Sequence, residues 1–208
     1  MNQQASILRT GRKFDQVLQG AREVFLADGF EGASVDDIAR AAGVSKATLY
    51  SYFPDKRLLF MEVARSECAR QADKPMDLTA ACCTPRDVLR AAAGHILSVS
   101  LSEFGIQMFR ICVAESDRFP DLGREFYESG PMLVRGKIRD YLEHAVAKGE
   151  LVVEDFDLAA DQFAELCRAD LVPRLLFKID TEFSEAERSR IIEGAVETFL
   201  ARYGAKAK

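Results

Sequence analysis

The 208-residue sequence is poor in the residues that enzyme and metal centres use. Its two histidines, His95 and His144, lie far apart, and no HExxH motif accompanies them. The five cysteines show no CxxC spacing, so neither a disulfide framework nor a zinc cluster is indicated. The adjacent Cys82 and Cys83 could suggest redox sensing, but vicinal cysteines form a strained ring, and we interpret them as incidental. We expect reduced thiols, no catalytic residue, no metal and no cofactor.

The sequence also lacks a run of about 18 apolar residues that could span a bilayer. Its first residues are polar, whereas a secretory signal needs an apolar core near that end. We therefore expect a cytoplasmic protein without a membrane partner. Hydrophobic residues make up 48% and charged residues 29% of the chain, which favours an ordinary globular protein over a disordered or fibrous one.

The chain has no excess of positive charge. A net charge of -5 and a pI near 5.2 argue against a protein that coats nucleic acid indiscriminately. The charge is unevenly spread, however, since residues 1–72 carry ten Lys/Arg against nine Asp/Glu and the acidic excess lies beyond them. This N-terminal region, which we call the head, could offer a small, directed surface for phosphate contacts.

Sustained period-2 alternation is missing, while apolar residues recur at three- and four-residue steps. This pattern predicts an all-α fold with an N-terminal three-helix head and a larger C-terminal helical bundle. Pro75 and Pro85 prevent one helix from running through the segment between them. The predicted domains are residues 1–53, a connecting helix over 54–72, and 73–208. We predict helices over 14–28, 34–41, 45–52, 54–71, 86–102, 104–117, 121–129, 131–147, 156–178 with a kink at Pro173, and 184–203.

Residues 35–52 have the spacing of a helix-turn-helix. Ala39 permits close approach of two helices, Gly43 supplies the turn, and Ile38, Val44 and Leu49 fill the wedge between them. An ordinary helical hairpin within a bundle would also use small and apolar residues at these places.

The polar residues of this window favour DNA binding. Two tyrosines, Tyr50 and Tyr52, face outward on one short helix, which is costly unless something contacts them. Hydroxyls, a lysine and aromatic rings can hydrogen-bond phosphates and meet base edges. Lys56 is unfavourable near the N-terminus of its own helix, so a phosphate over that end would explain it.

The window Ser34-Val35-Asp36-Asp37-Ile38-Ala39, continued by Ala42 to Lys56, resembles the DNA-binding head of TetR-family bacterial regulators, and the match covers about residues 10–60. The resemblance implies an Ω-shaped all-helical homodimer whose heads bind double-stranded DNA in successive major grooves of a palindromic operator. It further implies that the DNA backbone is contacted by Ser34, Thr48, Tyr50, Tyr52 and Lys56. The residues that it implies nearest the bases are Ser45, Lys46 and Ala47.

The body, from Arg110 to Leu122 with Phe126 and Tyr127, resembles the effector domain of an AefR-like branch. Aromatic and soft side chains there could line a cavity for a small hydrophobic effector, although dense core packing would use the same residues. The candidate pocket residues are Phe104, Met108, Phe109, Cys112, Phe126, Tyr127, Tyr141, Phe163, Cys167 and Phe177.

The last helices carry apolar stripes that need a cover. Packing within one chain is one interpretation, and the resemblance instead implies a four-helix dimer interface. The candidate interface residues are Phe163, Ile192, Val196, Phe199 and Tyr203.

These observations favour a ligand-responsive transcriptional regulator, a repressor released from its operator by an effector, and not an enzyme. Two alternatives stay open. One is an architectural DNA-binding protein with a solid body and no effector. The other is a helical enzyme or carrier, for which the sequence offers no converging His, Cys or carboxylate site.

Overall fold

The computed structural model describes residues 11–72 and 84–205, and of Cys68, Gln71 and Ala72 the backbone alone. Cys82, Cys83 and the predicted proline-flanked boundary lie outside these residues. The all-α prediction is confirmed, and the described ranges contain one isolated bridge, between Leu151 and Gly204. The helices are α1 (Arg12–Gly32), α2 (Val35–Ala41), α3 (Lys46–Tyr52), α4 (Lys56–Ala72), α5 (Pro85–Ser100), α6 (Glu103–Glu115), α7 (Pro120–Ser129), α8 (Pro131–Ala147), α9 (Phe156–Leu166), α10 (Leu171–Leu176) and α11 (Glu185–Tyr203).

The chain divides into two compact units. The first unit contains the described residues up to Arg70 together with Gln107–Ser129, and the second contains those of Gln71–Ile106 and Gly130–Lys208. Helix α6 begins in the second unit and ends in the first. Helix α4 is therefore not alone in continuing from one unit into the other, because α6 does so as well.

The head helices begin and end where the local sequence predicts. The Ser34 hydroxyl caps α2 by accepting from the Asp37 N–H at 3.0 Å, and Ser45 caps α3 by accepting from the Thr48 N–H at 3.1 Å. Gly29 has φ 70°, so α1 kinks there and adds one further turn before it ends. The predicted stop at this glycine thus marks a change of direction within the helix.

Two predicted boundaries are wrong. Pro54 precedes α4, and Asp55 caps it instead by accepting from the N–H groups of Arg57 and Leu58 at 2.8 and 3.0 Å. The single helix predicted over 156–178 is two helices, because Asp170 adopts φ 62° between them. This break places Pro173 in the first turn of α10, where a missing N–H costs little.

The second unit has its own apolar core, which α5, α8, α9 and α11 share. Its ends are tied by caps, since Thr84 and Ser184 each form a capping box with the acidic residue three positions later. No single helix in the described ranges is long and apolar enough to cross a membrane; α5 and α6 meet that test of length and composition only as a bent pair.

Helix α1 packs on α2 at a site where no side chain fits. A Cβ built on Gly20 would lie 2.5 Å from the backbone nitrogen of Ala42 and 2.8 Å from its Cβ. The contact is to backbone, so it cannot be relieved by a side-chain rotation. Gly20 is therefore required for the position of α2, and through α2 for that of the turn.

We expect Gly20→Ala to destabilise the protein by about 1–3 kcal/mol, because the added methyl must push the two helices apart. Gly136→Ala is the matched control, since a Cβ on this helical glycine meets nothing within 4 Å. The control should stabilise the protein by about 0.5–1 kcal/mol. Urea unfolding measures both changes, and equal effects for the two variants would contradict the packing of Gly20.

Candidate nucleic-acid interface

The turn between α2 and α3 is built from the backbone. Gly43 has φ 64°, and its N–H donates to the Arg40 carbonyl at 3.1 Å. The next residue, Val44, donates its N–H to the Ala39 carbonyl at 3.1 Å. These bonds end α2 and direct the chain into α3, which gives the predicted helix-turn-helix.

The inner face of α3 is fixed by packing in the first unit. Leu49 is buried, and Phe53 at the end of the helix is fully enclosed. The Phe14 ring of α1 stacks on Phe53 at 5.6 Å and meets the edge of Tyr52 at 5.8 Å. The recognition helix therefore has an inner side that cannot rotate away without breaking these contacts.

The outer face of α3 is polar and open. Ser45, Lys46, Ala47, Tyr50 and Ser51 are exposed, and the large Tyr50 ring keeps 44% of its surface accessible. An aromatic hydroxyl beside a lysine and small side chains suits phosphates, thymine methyls and base edges. The structure thus exposes the three residues predicted nearest the bases, together with Tyr50 from the set predicted to contact the DNA backbone.

Three predicted DNA contacts are partly engaged in the fold. Ser34 is half-buried as the cap of α2, and Thr48 is half-buried with its hydroxyl 2.8 Å from the Ser45 hydroxyl. Tyr52 is half-buried against Phe14.

Lys46 is held by an acidic partner on α2. Its ammonium lies 2.9 Å from Oδ1 of Asp36. The hydrogen bond to this carboxylate raises the pKa of Lys46 above its usual value, so the side chain is cationic at neutral pH. Asp36 thus holds the Lys46 ammonium at the start of the recognition helix, and the pair together carries no net charge.

Lys56, which was predicted to contact the DNA backbone at the start of α4, is half-buried and hydrogen-bonded within the fold. Its Nζ donates to the carbonyl oxygens of Phe30 at 2.6 Å, Ala33 at 3.1 Å and Glu31 at 3.4 Å. These partners lie 23 to 26 positions away, beyond the range of local sequence patterns.

Sequence reasoning missed a polar stripe on α1. Arg12, Gln16 and Gln19 follow i, i+4, i+7 spacing and line an open groove of about 610 Å³ beside Gly20 and Ala42. This helical spacing of polar residues is visible in the sequence and could have identified them. Arg12 and Lys13 lie in the first turn of α1 and not before it.

The predicted effector residues divide between the two units. Met108, Phe109, Cys112, Phe126 and Tyr127 belong to the first unit, where Phe109 meets the edge of Phe126 at 6.4 Å. The second unit holds Phe104, Tyr141, Phe163, Cys167 and Phe177.

Two effector predictions fail as pocket-lining residues of the single chain. Tyr127 is 49% and Phe177 78% exposed, so both side chains face solvent. By contrast, Tyr141, Phe163 and Cys167 share the core of the second unit. Burial raises the pKa of the Cys167 thiol to about 12, which removes it as a reactive thiolate.

The predicted dimer residues are also corrected. Phe163, Val196, Phe199 and Tyr203 are buried inside one protomer, and Phe199 contacts both other rings, Phe163 at 5.1 Å and Tyr203 at 4.7 Å. Ile192 is partly buried against the same core. The apolar stripe of α11 is covered by its own chain because α5 and α9 pack on it.

In the ranges that the structure describes, no group of three or more His, Cys, Asp or Glu side chains could hold a metal ion. The described site is instead a capped recognition helix with a rigid apolar back and an open polar front. Fold and site together define a helix-turn-helix DNA-binding regulator.

Residues 17–63 match the family model of the bacterial regulatory proteins of the TetR family, and residues 87–205 match that of the AefR-like transcriptional repressor C-terminal domain. The second match alone spans more than half of the chain. The protein therefore belongs to the TetR family of transcriptional regulators and has an AefR-like C-terminal domain.

Similar proteins agree with this family. The repressor AcnR of Corynebacterium efficiens is 40% identical over 58 residues, which are 28% of this chain and 31% of AcnR, so the chain spans about a third of the length of such curated relatives. Two solved structures cover far more. A TetR-family regulator from Mesorhizobium loti MAFF303099 has a TM-score of 0.87 at 30% identity over 93% of this chain and 97% of its own. The flavonoid-responsive regulator FrrA has a TM-score of 0.78 at 37% identity over 95% of this chain and all of its own.

Ser45 allows the cap and the DNA surface to be tested separately. In Ser45→Asp, the carboxylate should still cap α3, so stability should change by less than about 0.5 kcal/mol. The same charge should repel phosphates and lower DNA affinity at least tenfold at low salt. Ser45→Ala should instead cost about 1 kcal/mol of stability.

The control adds a carboxylate far along the chain, by Ser189→Asp at an exposed position of α11. Circular-dichroism melts and DNA titrations measure the two properties. If Ser45→Asp bound DNA as Ser189→Asp does, the outer face of α3 would not be the DNA surface.

Proposed function

We propose that the protein is a transcriptional repressor that binds a palindromic operator as a homodimer and releases it when a small effector binds. The observation that carries this proposal is the outer face of α3, whose exposed lysine, hydroxyls and Tyr50 stand on a helix that is capped and packed from behind. A rigid, polar, short helix after a tight turn suits insertion into a major groove.

Basic side chains next to α3 support a directed DNA surface on an acidic protein. Arg12 and Lys13 in α1 and Arg57 in α4 are exposed in the same unit as Lys46. A few such contacts position a protein on DNA without making it bind every duplex tightly. We expect specific binding to need two heads, with half-sites about one helical turn apart.

A dimer would use surfaces other than the predicted stripe. On α9 the exposed Leu158 and Gln162 follow each other at i, i+4, and on α11 the exposed Gly194, Thr198 and Ala201 follow i, i+4, i+7. Small side chains at this spacing let two helices approach closely. These two faces belong to the second unit and support an interface between two copies.

The effector is proposed to bind in the second unit near Tyr141. Its hydroxyl is buried and has no hydrogen-bond partner among the described residues, and burial raises the pKa of Tyr141 to about 12, so it is a neutral donor. A buried hydroxyl without a partner is costly, and a ligand oxygen would satisfy it. Because FrrA responds to flavonoids and is 37% identical, phenolic ligands are the first class to test.

Release would follow from a movement of helices that continue from one unit into the other. Helix α6 continues from one unit into the other, and three residues separate the end of the recognition helix from the start of α4. A ligand that disfavours the DNA-bound arrangement must bind more weakly to the DNA complex, with a coupling typically of about 1–3 kcal/mol.

An architectural DNA-binding protein is the second candidate. Met108, Cys112, Phe163 and Cys167 are all buried, which is what a solid body would show. The two candidates differ in one measurable property, which is the response of operator affinity to a ligand.

The proposed function predicts that the purified protein shifts a palindrome from the promoter DNA that flanks its gene, and that a flavonoid such as quercetin weakens this binding. Tyr141→Phe should keep operator affinity, because position 141 lies in the other unit from α3, and should lose at least tenfold in ligand sensitivity. Fluorescence anisotropy measures both.

Each half of this experiment has its own failure. Equal affinity for the palindrome and for unrelated DNA would contradict the operator. A ligand that stabilises the protein without changing operator affinity, or no ligand binding at all, would contradict the effector and favour the architectural protein.

The dimer is tested by two charged substitutions on one helix. Phe199→Glu should unfold the second unit, since it buries a carboxylate among Phe163 and Tyr203 and costs several kcal/mol. The neighbouring Thr198 is exposed, so Thr198→Arg should leave the fold intact. Light scattering should then show monomers in place of dimers. If Phe199→Glu were a folded monomer, the apolar stripe of α11 would be the dimer interface. If Thr198→Arg remained a dimer, the exposed face of α11 would be excluded as the interface.

A further inference from the structure

Lys56 occupies a position with conflicting electrostatics. As the first residue of α4 it places a cation at the positive end of its own helix dipole. The structure resolves the conflict, because the side chain turns away from α4 and its ammonium reaches the carboxyl end of α1. There the dipole is negative, and a lysine is favourable.

The end of α1 needs such a partner. The last carbonyl groups of a helix have no N–H to accept within it. Here these groups include Phe30 and Glu31, and the cap residue Ala33 follows. The kink at Gly29 redirects this final turn, and the Lys56 ammonium lies among all three carbonyl oxygens at 2.6 to 3.4 Å.

The three acceptors match the donor capacity of the ammonium. A lysine carries three N–H donors and no acceptor. With three carbonyl oxygens bound, a phosphate could be contacted only by giving up one of them. The Phe30 ring lies 4.6 Å below the charge, which adds a cation–π contact.

The same turn of α4 also packs on α1. Phe60, one helical turn after Lys56, is fully buried and meets the edge of Phe30 at 5.3 Å. Polar and apolar contacts from one face of α4 thus converge on one residue of α1. The end of α1 is thereby fixed to the start of α4, close in sequence to the recognition helix.

We infer that Lys56 is a positioning residue for DNA binding, one that holds the carboxyl end of α1 on the first turn of α4 and does not neutralise a phosphate. This inference rests on the proposed function. It separates two roles that a basic residue beside a recognition helix can have, and the two roles differ in salt dependence.

Salt titrations of operator binding distinguish the roles. Lys56→Met keeps the apolar stem and loses the charge, and it should lower affinity at least tenfold while the slope of log affinity against log salt stays unchanged. Lys46→Met, at an exposed lysine of α3, should lower the slope by about one. Lys148→Met, at an exposed lysine of the second unit, should change neither.

Lys56→Arg provides a second, independent comparison. Its charge serves a phosphate well, but a planar guanidinium cannot converge on three carbonyl oxygens as an ammonium does. A positioning role predicts that Lys56→Arg loses affinity nearly as Lys56→Met does. All titrations are made at a temperature where circular dichroism shows each variant to be folded, so that an unfolded fraction cannot explain a loss.

Three results would overturn the inference. One is wild-type affinity in Lys56→Arg together with a slope lowered by about one in Lys56→Met. Another is unchanged affinity in folded Lys56→Met. The third applies if the wild-type protein shows no preference for the palindrome, which would contradict the proposed function. In that case stability still tests the cap of α1, and equal urea midpoints for Lys56→Met and Lys46→Met would overturn the inference.

Discussion

A seven-residue helix does not persist in water by itself, and α3 has only seven residues. Its orientation therefore depends on the surfaces that surround it. Phe14 and Phe53 hold its inner side, and Gly20 lets α1 approach α2 closely enough to fix the turn. Tertiary packing thus supplies the rigidity that a DNA-reading helix needs and that its own length denies it.

Polar side chains cap three helix ends in the first unit. Ser45 caps α3, Asp55 caps α4, and Lys56 caps α1 from another element. Each of these groups satisfies backbone atoms that a short helix leaves unpaired. Lys46 and Tyr50 cap no helix end, and both side chains are exposed, Lys46 beside its partner Asp36.

Local signals were enough to predict the helix-turn-helix, because the caps Ser34 and Ser45 and the turn at Gly43 act within four residues. Contacts between residues that are far apart in the sequence could not be predicted from such signals. The carbonyl acceptors of Lys56 are some 25 positions away, so local patterns could not reveal them and a phosphate was predicted as its partner. Phe199 was predicted at an interface because the sequence of an apolar stripe does not indicate which surface covers it. The break at Asp170 needs a positive φ, which Asp adopts more often than most residues but still too rarely to be predicted at one position.

We propose that the outer face of α3 reads the operator. Photo-crosslinking tests it most directly, with a benzophenone amino acid placed at Ala47 on that face or at Ala147, an equally exposed alanine at the end of α8. We expect crosslinks from position 47 to bases within each half-site and none from position 147. Crosslinks from position 147, or none from position 47 on DNA that the protein demonstrably binds, would contradict it.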